Sequence, residues 1–448
     1  MIRSRPTAAL IAVVMLAASA AQAGPALSIY SSDLGFVKES RTLMLAGSRD
    51  TVRLEDISNR LDFSSVRLAL ASGRVTRLAY RWDIATGEGL IERAIGQRVR
   101  VVVRGERVAE GTLLAADGSW LVLRGDDGAI ATLSRAQVDE VRLAMPAASL
   151  SLKPALEAVL EGVKKGPVEA QLSYLTGGLS WSAEHTFVRT GENSGQWSAT
   201  VQIQNTTGRD YRDARVKLIA GEPARTGGSP RPPVAMMMKT SAVADGAATE
   251  QMSEQTFNEY HLYTLDGLAT LRDRETQSLV MYEPRQVSVK PKYVYRNGDG
   301  RGVLAQLDLV NSKAAGPGVP LPAGRVRAFA PDAGKDLQFT GEANIGHIPL
   351  DGKFTLDMGY AFDVTGERRS TVEKRISDRE REYGVEVVLK NAKSTDVVVI
   401  VEESVGGEVE IVSQSSRSTR KDANTLQWAI PVPAGKSATL SYAARQRW

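Results

Sequence analysis

The chain has 448 residues, enough to bury a full core and, at about 100–200 residues per domain, to hold two to four domains. Its 56 Lys and Arg are interspersed with 52 Asp and Glu, a net charge of +4 and a near balance that does not indicate a nucleic-acid binder. There is no cysteine, which excludes disulfides, thiol catalysis, thiolate metal sites and iron–sulfur clusters.

Arg3 and Arg5, the small and apolar run at 8–21 and the small-x-small sequence Ala21-Gln22-Ala23 read as a cleavable export signal. The run is too short to span a bilayer, and no later stretch approaches the roughly 20 apolar residues that a membrane helix needs. Residues 1–23 are thus read as a signal peptide cut near Ala23-Gly24, leaving 54 basic against 52 acidic residues. The expected location of the mature chain is the periplasm or the outer membrane of a bacterial envelope, with a secreted product as the alternative.

From Gly24 the sequence reads as β almost throughout. Residues 26–39, 41–45, 51–54, 66–70 and 75–82 are short runs, alternating in places and split by turn residues at hairpin distances. Residues 155–165 are the best helical candidate, but Leu156, Ala158 and Leu160 alternate, and the stretch is read as a strand. Residues 90–143 have a different texture, with five short strands and tight turns in about 50 residues, the size of a small closed barrel. Gly96, Gly111, Asp117 and Leu121-Val122-Leu123 give it a resemblance to Sm-like or SH3-like small barrels. It has no basic cluster with stacking aromatics of the kind RNA binding uses, and is read as a packed insert.

Strand-like runs continue over 171–174, 181–189, 196–205 and 215–221. Composition then breaks: residues 222–253 hold Pro223, Pro230, Pro232, Pro233, Gly227-Gly228 and the run Val234-Ala235-Met236-Met237-Met238, and read as a linker or long disordered loop. From residue 256 the β pattern resumes and holds to the end. The expected organisation is mostly β, multi-domain β-sandwiches with an inserted small β-barrel and a disordered linker. Its segments are a signal peptide (1–23), an N-terminal β segment (24–89), the barrel insert (90–145), a β-sheet domain (146–221), a Pro/Met/Gly-rich linker (222–255) and a C-terminal β-sandwich region (256–448).

Several segments carry a family resemblance. The octet Tyr174-Leu175-Thr176-Gly177-Gly178-Leu179-Ser180-Trp181 resembles the signature of the exported bacterial family of domain of unknown function 4139, related to the mucoidy inhibitor A group. Segments 259–265 with Tyr260 and Tyr263, 321–327 with Leu321, Pro322 and Gly324, and 359–368 with Phe362, Asp363, Gly366 and Glu367 are similar to it as well. So are Leu426-Gln427-Trp428 and Ala434-Gly435. The resemblance is most specific over about 167–448. It implies an exported, mostly β protein and carries no catalytic residues across. Gly177, Gly178 and Gly324 read physically as turns or close backbone approaches, which makes the signature a fold determinant.

The search for chemistry finds little. His185, His261 and His347 lack the local spacing of a zinc site and read as structural. No nucleophile elbow, phosphate loop or dinucleotide fingerprint occurs, and no cofactor is expected. Asn297-Gly298-Asp299-Gly300 reads as a hairpin turn, and residues 374–381 as a solvated hairpin or short helix. Asp363 with Glu367, or Glu402 with Glu403, could form a glycosidase pair, but nothing separates them from other carboxylates. Trp181, Trp428 and Tyr263 read as core aromatics before a sugar-binding groove. The expected function is a non-enzymatic binding or scaffolding role in the envelope, with a protein or glycan partner, no nucleic acid and no transmembrane helix. The alternatives are a carboxylate-dependent hydrolase of envelope polysaccharide and an outer-membrane β-barrel. The terminal Trp448 after alternating Leu440, Tyr442 and Ala444 favours the barrel; 6% aromatic content and few strands of about ten alternating residues weigh against it.

Overall fold

The structure, a computed structural model, describes residues 24–82, 86–105, 107–144, 153–221, 223, 252–257, 260–297 and 302–447. The signal segment, most of the 222–255 segment, residues 298–300 of the Asn297 turn and Trp448 lie outside the described residues.

Period-2 burial dictates the architecture. In Leu179–Arg189 the residues Leu179, Trp181, Ala183, His185 and Phe187 face inward, and in the paired strand Ser194–Asn205 so do Trp197, Ala199, Val201, Ile203 and Asn205. Such alternation suits sheets with one face on a core. Fully burying a side chain the size of Leu or Phe contributes about 1.5–3 kcal/mol, and Trp197, Trp428, Tyr174, Tyr211 and Phe187 are the largest side chains buried in full.

The described strands form six sheets. The first has the order Met252–Phe257, Tyr260–Leu265, Tyr211–Ala220, Ala26–Tyr30, Leu34–Leu45, Gly166–Thr176 and Leu61–Leu70, with Ala269–Leu271 also paired to Tyr211–Ala220. A three-stranded sheet joins Arg49–Leu54, Ala155–Glu161 and Arg74–Arg81. A five-stranded sheet runs Glu275–Ser288, Ser194–Asn205, Leu179–Arg189, Gly324–Pro331 and Leu337–Ile345. These three sheets share one large apolar core, joined by Leu307, Leu309 and Leu356 from the next sheet.

That next sheet contains Lys353–Tyr360, Val303–Val310, Lys290–Arg296, Val397–Ser404, Thr425–Val432 and Thr419–Asp422. With the last sheet, Val364–Ser377, Glu380–Asn391, Ser437–Arg447 and Glu408–Gln414, it encloses a second core around Trp428, Val387, Val399 and Leu440. The 374–381 run is the tip of the hairpin formed by Val364–Ser377 and Glu380–Asn391. The strands are divided among separate sheets around separate cores, so among the described residues they do not make one closed membrane barrel.

The insert leaves after Arg74–Arg81 and returns as Ala155–Glu161, which pairs with the strand it left. Its five strands, in the order Val138–Leu143, Arg98–Val103, Arg107–Ala116, Trp120–Arg124 and Ile130–Ser134, curl into a half-barrel around Val99, Val101, Leu113, Leu121 and Leu123. Ahead of it stands a helix, Gly87–Arg93, that sequence periodicity did not reveal. It has seven residues, two of them glycine, too few to show a stripe; its legible signal is the N-cap, Thr86, whose hydroxyl accepts the Gly89 N–H at 3.0 Å.

Strand pairing crosses the expected segment boundaries in three places. Segments 24–89 and 146–221 are not separate units: Leu34–Leu45 pairs along its length with Gly166–Thr176, and Arg49–Leu54 with Ala155–Glu161. Tyr260–Leu265 also joins that first sheet, so it is not part of a C-terminal sandwich. The 222–255 segment ends early, because Met252–Phe257 is a strand paired with Tyr260–Leu265.

Candidate functional site

The signature octet is where the chain passes from the first sheet to the five-stranded sheet around Trp197. Gly166–Thr176 ends, two glycines turn, and Leu179–Arg189 begins. Gly178 sits at φ +83°, and a Cβ there would lie 3.0 Å from the Thr206 carbonyl, so this position requires glycine. Its N–H donates to Asp33 Oδ1 at 2.7 Å, and the Gly177 N–H donates to the Arg60 carbonyl at 3.1 Å. Thr176 and Ser58 share a buried hydroxyl hydrogen bond of 2.6 Å. Ser58 also donates to the Thr207 carbonyl at 3.3 Å and Thr176 to the Gly177 carbonyl at 2.8 Å.

Tyr174 leads to a buried ionic cluster. Its hydroxyl accepts from Arg209 Nη1 at 3.3 Å; the same guanidinium donates to both Glu39 oxygens at 3.2 and 3.4 Å and lies 3.0 Å from Asp56 Oδ2. Arg209 also covers the Tyr211 ring, 4.7 Å from its centroid, and Arg41 meets Glu39 at 3.0 Å. Burial works against the Arg209 charge, but Tyr174, Glu39, Tyr211 and Asp56 outweigh it and hold its pKa above the ordinary value. Glu39, Arg41, Asp56 and Arg209 of this cluster line a cleft of about 600 Å³ together with Lys153, Asp210, Arg212 and Asp273.

The other signature segments converge on the far side of the turn. Trp181 Nε1 donates to the Ile219 carbonyl at 3.2 Å and meets the Tyr263 ring edge-on at 6.1 Å. Tyr263 donates its hydroxyl to the Pro320 carbonyl at 3.4 Å, and burial pushes its pKa up. Leu321 is buried and bridges Ile348 in both directions at 2.9 Å. Gly324 needs its missing side chain, since a Cβ would stand 2.3 Å from the Ala183 carbonyl. Tyr260 packs against Gly221, where a Cβ would strike its ring at 2.2 Å.

His185 completes the group. Its Nε2 lies 3.0 Å from the Pro322 carbonyl, which can only accept, so Nε2 carries the proton. Nδ1 then accepts from the Tyr282 hydroxyl at 3.4 Å, whose oxygen accepts from Trp197 Nε1 at 3.0 Å. Every proton has one place to go, and burial pushes the His185 pKa down to about 4. His347 accepts the Ala323 N–H at 3.1 Å, and His261 meets Glu254 at 2.7 Å.

The remaining signature residues sit apart. Phe362 is 95% exposed, Asp363 lies 3.9 Å from Lys393, and Glu367 is flanked by Arg369 and Lys390 at 3.7 and 4.0 Å. Gly366 lets the Tyr295 ring lie on the backbone, within 2.5 Å of a would-be Cβ. Trp181, Trp428 and Tyr263 are buried in the cores.

Glu402 and Glu403, consecutive in one strand, project to opposite faces. Glu402 is claimed by Arg296, Lys421 and Gln427 at 3.0, 2.8 and 2.7 Å, which lower its pKa against the effect of burial. Burial pushes Glu403 up, while Arg368 at 3.1 Å pulls the other way. Two carboxylates so placed cannot flank one glycosidic bond. Among the described residues, no group of three or more His, Asp or Glu is arranged to hold a metal ion.

Sequence reasoning missed the residues that tie strand ends to loops, though a repeat marks two of them. Asn205-Thr206-Thr207-Gly208-Arg209-Asp210 and Asn391-Ala392-Lys393-Ser394-Thr395-Asp396 share an Asn-x4-Asp spacing. Asn205 donates to the Leu271 carbonyl at 3.0 Å and Asp210 accepts the Asp273 N–H at 3.0 Å. Asn391 donates to the Val432 carbonyl at 3.1 Å and Asp396 accepts the Ala434 N–H at 2.8 Å. Each copy grips a carbonyl and the amide two residues further on.

Among the described residues, six sheets around three apolar cores define a mostly β, multi-sheet protein. The chain belongs to the family described as Domain of unknown function (DUF4139), whose model matches residues 170–448. No curated protein matches it.

Proposed function

We propose that this is an exported cell-envelope protein whose stacked β sheets serve binding or scaffolding rather than catalysis. The observation that carries the reading is the fate of the signature's polar groups. Tyr174, Thr176, Trp181, Tyr263 and the neighbouring His185 each bond to a partner inside the molecule. A built catalytic site keeps such groups within reach of substrate. The leader-like 1–23 segment and the lack of cysteine support a location in the periplasm or at the outer membrane. No helix among the described residues is long and apolar enough to cross a membrane.

The partner class is an envelope protein or a glycan. The test is capture of the tagged mature chain from cross-linked cells, followed by reconstitution of the captured component with purified protein. One recurrent stoichiometric partner that rebinds in purified form is expected. Turnover of a defined envelope polysaccharide by the purified chain would overturn the reading.

A further inference from the structure

Two neighbouring strands carry an uncovered apolar face. Leu337–Ile345 and Lys353–Tyr360 are edge strands of different sheets, joined through residues 346–352. A Cβ on Gly341 would lie 3.5 Å from the Met358 carbonyl oxygen, so the two strands run side by side. At the end away from their connection, Leu337, Phe339 and Tyr360 are 57%, 58% and 41% exposed, and Phe362 follows at 95%. Phe339 meets Phe329 edge-on at 5.8 Å. Phe362 is held in water by its neighbours: the Ala361 N–H donates to the Val303 carbonyl at 2.7 Å, the Asp363 carbonyl accepts the Ala392 N–H at 2.7 Å, and Val364 is fully buried. A phenyl ring on fixed backbone is a preorganised anchor. Thr340 and Met358, one from each strand, also line a cavity of about 150 Å³, whose other walls include Phe187, Tyr293, Leu307 and Phe329. An apolar cavity of about that volume takes a benzene ring. Arg189 lines it too, and its Nε and Nη2 donate to the Gly191 and Glu192 carbonyls at 2.9 and 3.0 Å, leaving a cation suited to the face of an aromatic ring.

We propose that this face is the contact between two copies of the chain related by a two-fold axis, with Phe362 of each seated in the cavity beside Met358 of the other. In a two-fold contact one patch faces itself, so a knob and a cavity on the same patch are each used twice. Phe362 and Met358 are four residues apart, which puts both on one patch. The area suffices for a second copy. An aromatic side chain covers about 150–250 Å². At the exposures above, Phe362, Phe339, Leu337 and Tyr360 counted on both copies supply about 1,000 Å², the lower bound of a specific interface. Association of that size is weak, in the micromolar range or so. Both signs of charge border the face, Asp363 with Lys393 at 3.9 Å and Lys335 beside Asp336, so like copies meet without a single-sign field between them.

The experiment is sedimentation equilibrium of the mature chain from about 0.1 to about 100 µM, where a reversible dimer is expected. Phe362→Ser removes the knob, and Thr340→Trp fills the cavity from an exposed position. Each should weaken association about 30-fold or more, the loss on truncating a buried aromatic anchor. An equimolar mixture of the two variants should associate only about fivefold more weakly than the unmutated chain. In the mixed dimer, Phe362 of one copy meets the open cavity of the other, which restores one of the two anchors. Melted below about 1 µM, where the chain is monomeric, both variants should keep the unmutated midpoint. If Thr340→Trp melts early, Phe362→Ser decides alone. A chain that stays monomeric at about 100 µM, or a dimer indifferent to Phe362→Ser, would overturn the proposal. So would two well-folded variants that fail to recover on mixing. A monomer whose Phe362→Ser variant loses the envelope partner captured above would also overturn it, and would give the face to that partner.

Discussion

Breaking the Arg209–Glu39 pair is the sharpest test of whether the signature's cleft is a fold determinant. The two side chains are 6% and 7% exposed, and the guanidinium spans both carboxylate oxygens. Leaving one member of a buried pair without its partner costs about 3–5 kcal/mol. Here each residue keeps a secondary partner: in Arg209→Met, Glu39 retains Arg41 at 3.0 Å, and in Glu39→Gln, Arg209 retains Asp56 at 3.0 Å. Each single variant should therefore lose about 2–4 kcal/mol. Replacing both with apolar residues (Glu39→Leu with Arg209→Met) should cost less than the sum, by about 1.5 kcal/mol or more. The chain has several cores and is not expected to unfold in one step. Urea titration should thus be read by hydrogen exchange in Gly166–Thr176 and Tyr211–Ala220, where every 1.4 kcal/mol is about tenfold in exchange. Single variants losing under about 1 kcal/mol, or a strictly additive double variant, would refute the reasoning.

Four further outcomes are expected. His185 has its pKa depressed from 6.5 to about 4 by burial, so the unfolded chain binds the proton first. Stability should be complete above about pH 6.5 and fall by about 3 kcal/mol as pH drops to 4, and urea midpoints of His185→Asn should show a shallower pH slope. Gly324→Ala places a methyl 2.3 Å from the Ala183 carbonyl and should cost about 2 kcal/mol or more, read as a lowered melting temperature. Asn391→Leu removes donors to the Thr395, Val432 and Pro433 carbonyls and the acceptor of the Lys393 N–H. At about 1–3 kcal/mol per orphaned group, it should open Glu380–Asn391 to exchange by 100-fold or so while leaving Ser194–Asn205 protected. Phe362→Ser, at a 95% exposed site, should change the melting midpoint by an amount equivalent to under about 0.5 kcal/mol.

What was legible in the sequence followed from local periodicity. Alternation marked strands such as Ala155–Glu161 and Leu179–Arg189, and the missing side chain of Gly324 pointed to a close backbone approach that the structure places against Ala183. What escaped is non-local. Glu39 and Arg209 are 170 residues apart, and Thr42 and Glu169 meet across 127. Period-2 patterning says which face of a strand is buried but not which strand lies beside it. Segments 24–89 and 146–221 therefore read as neighbours in sequence, although their strands interleave in shared sheets. The Asn-x4-Asp pins were open to sequence inspection, because both copies sit where a strand ends in a turn. Their meaning depended on the partners of Asn205 and Asn391, which come from strands and loops 41 to 66 residues away.

The buried charge at this junction follows from register. Tyr211–Ala220 runs parallel to Ala26–Tyr30, with Ala26 opposite Arg215, and only that alignment carries Arg209 back over Glu39 on the next strand. A slip of one residue would exchange the faces of the whole strand, turning Val216 and Leu218 out of the core and leaving Glu39 buried without Arg209. Apolar residues alone penalise the first error by lost burial, at about 25 cal/mol for each Å² exposed. The ionic cluster adds the uncompensated buried charge, at several kcal/mol, and it does so at the strand whose neighbours come from the two most distant parts of the first sheet. Tyr174 links that check to the Gly177-Gly178 turn three residues on. The register of the first sheet and the entry angle into the next one are thus enforced by one connected set of side chains, which is a sufficient physical reason for the octet's residue types without any chemistry performed on a ligand.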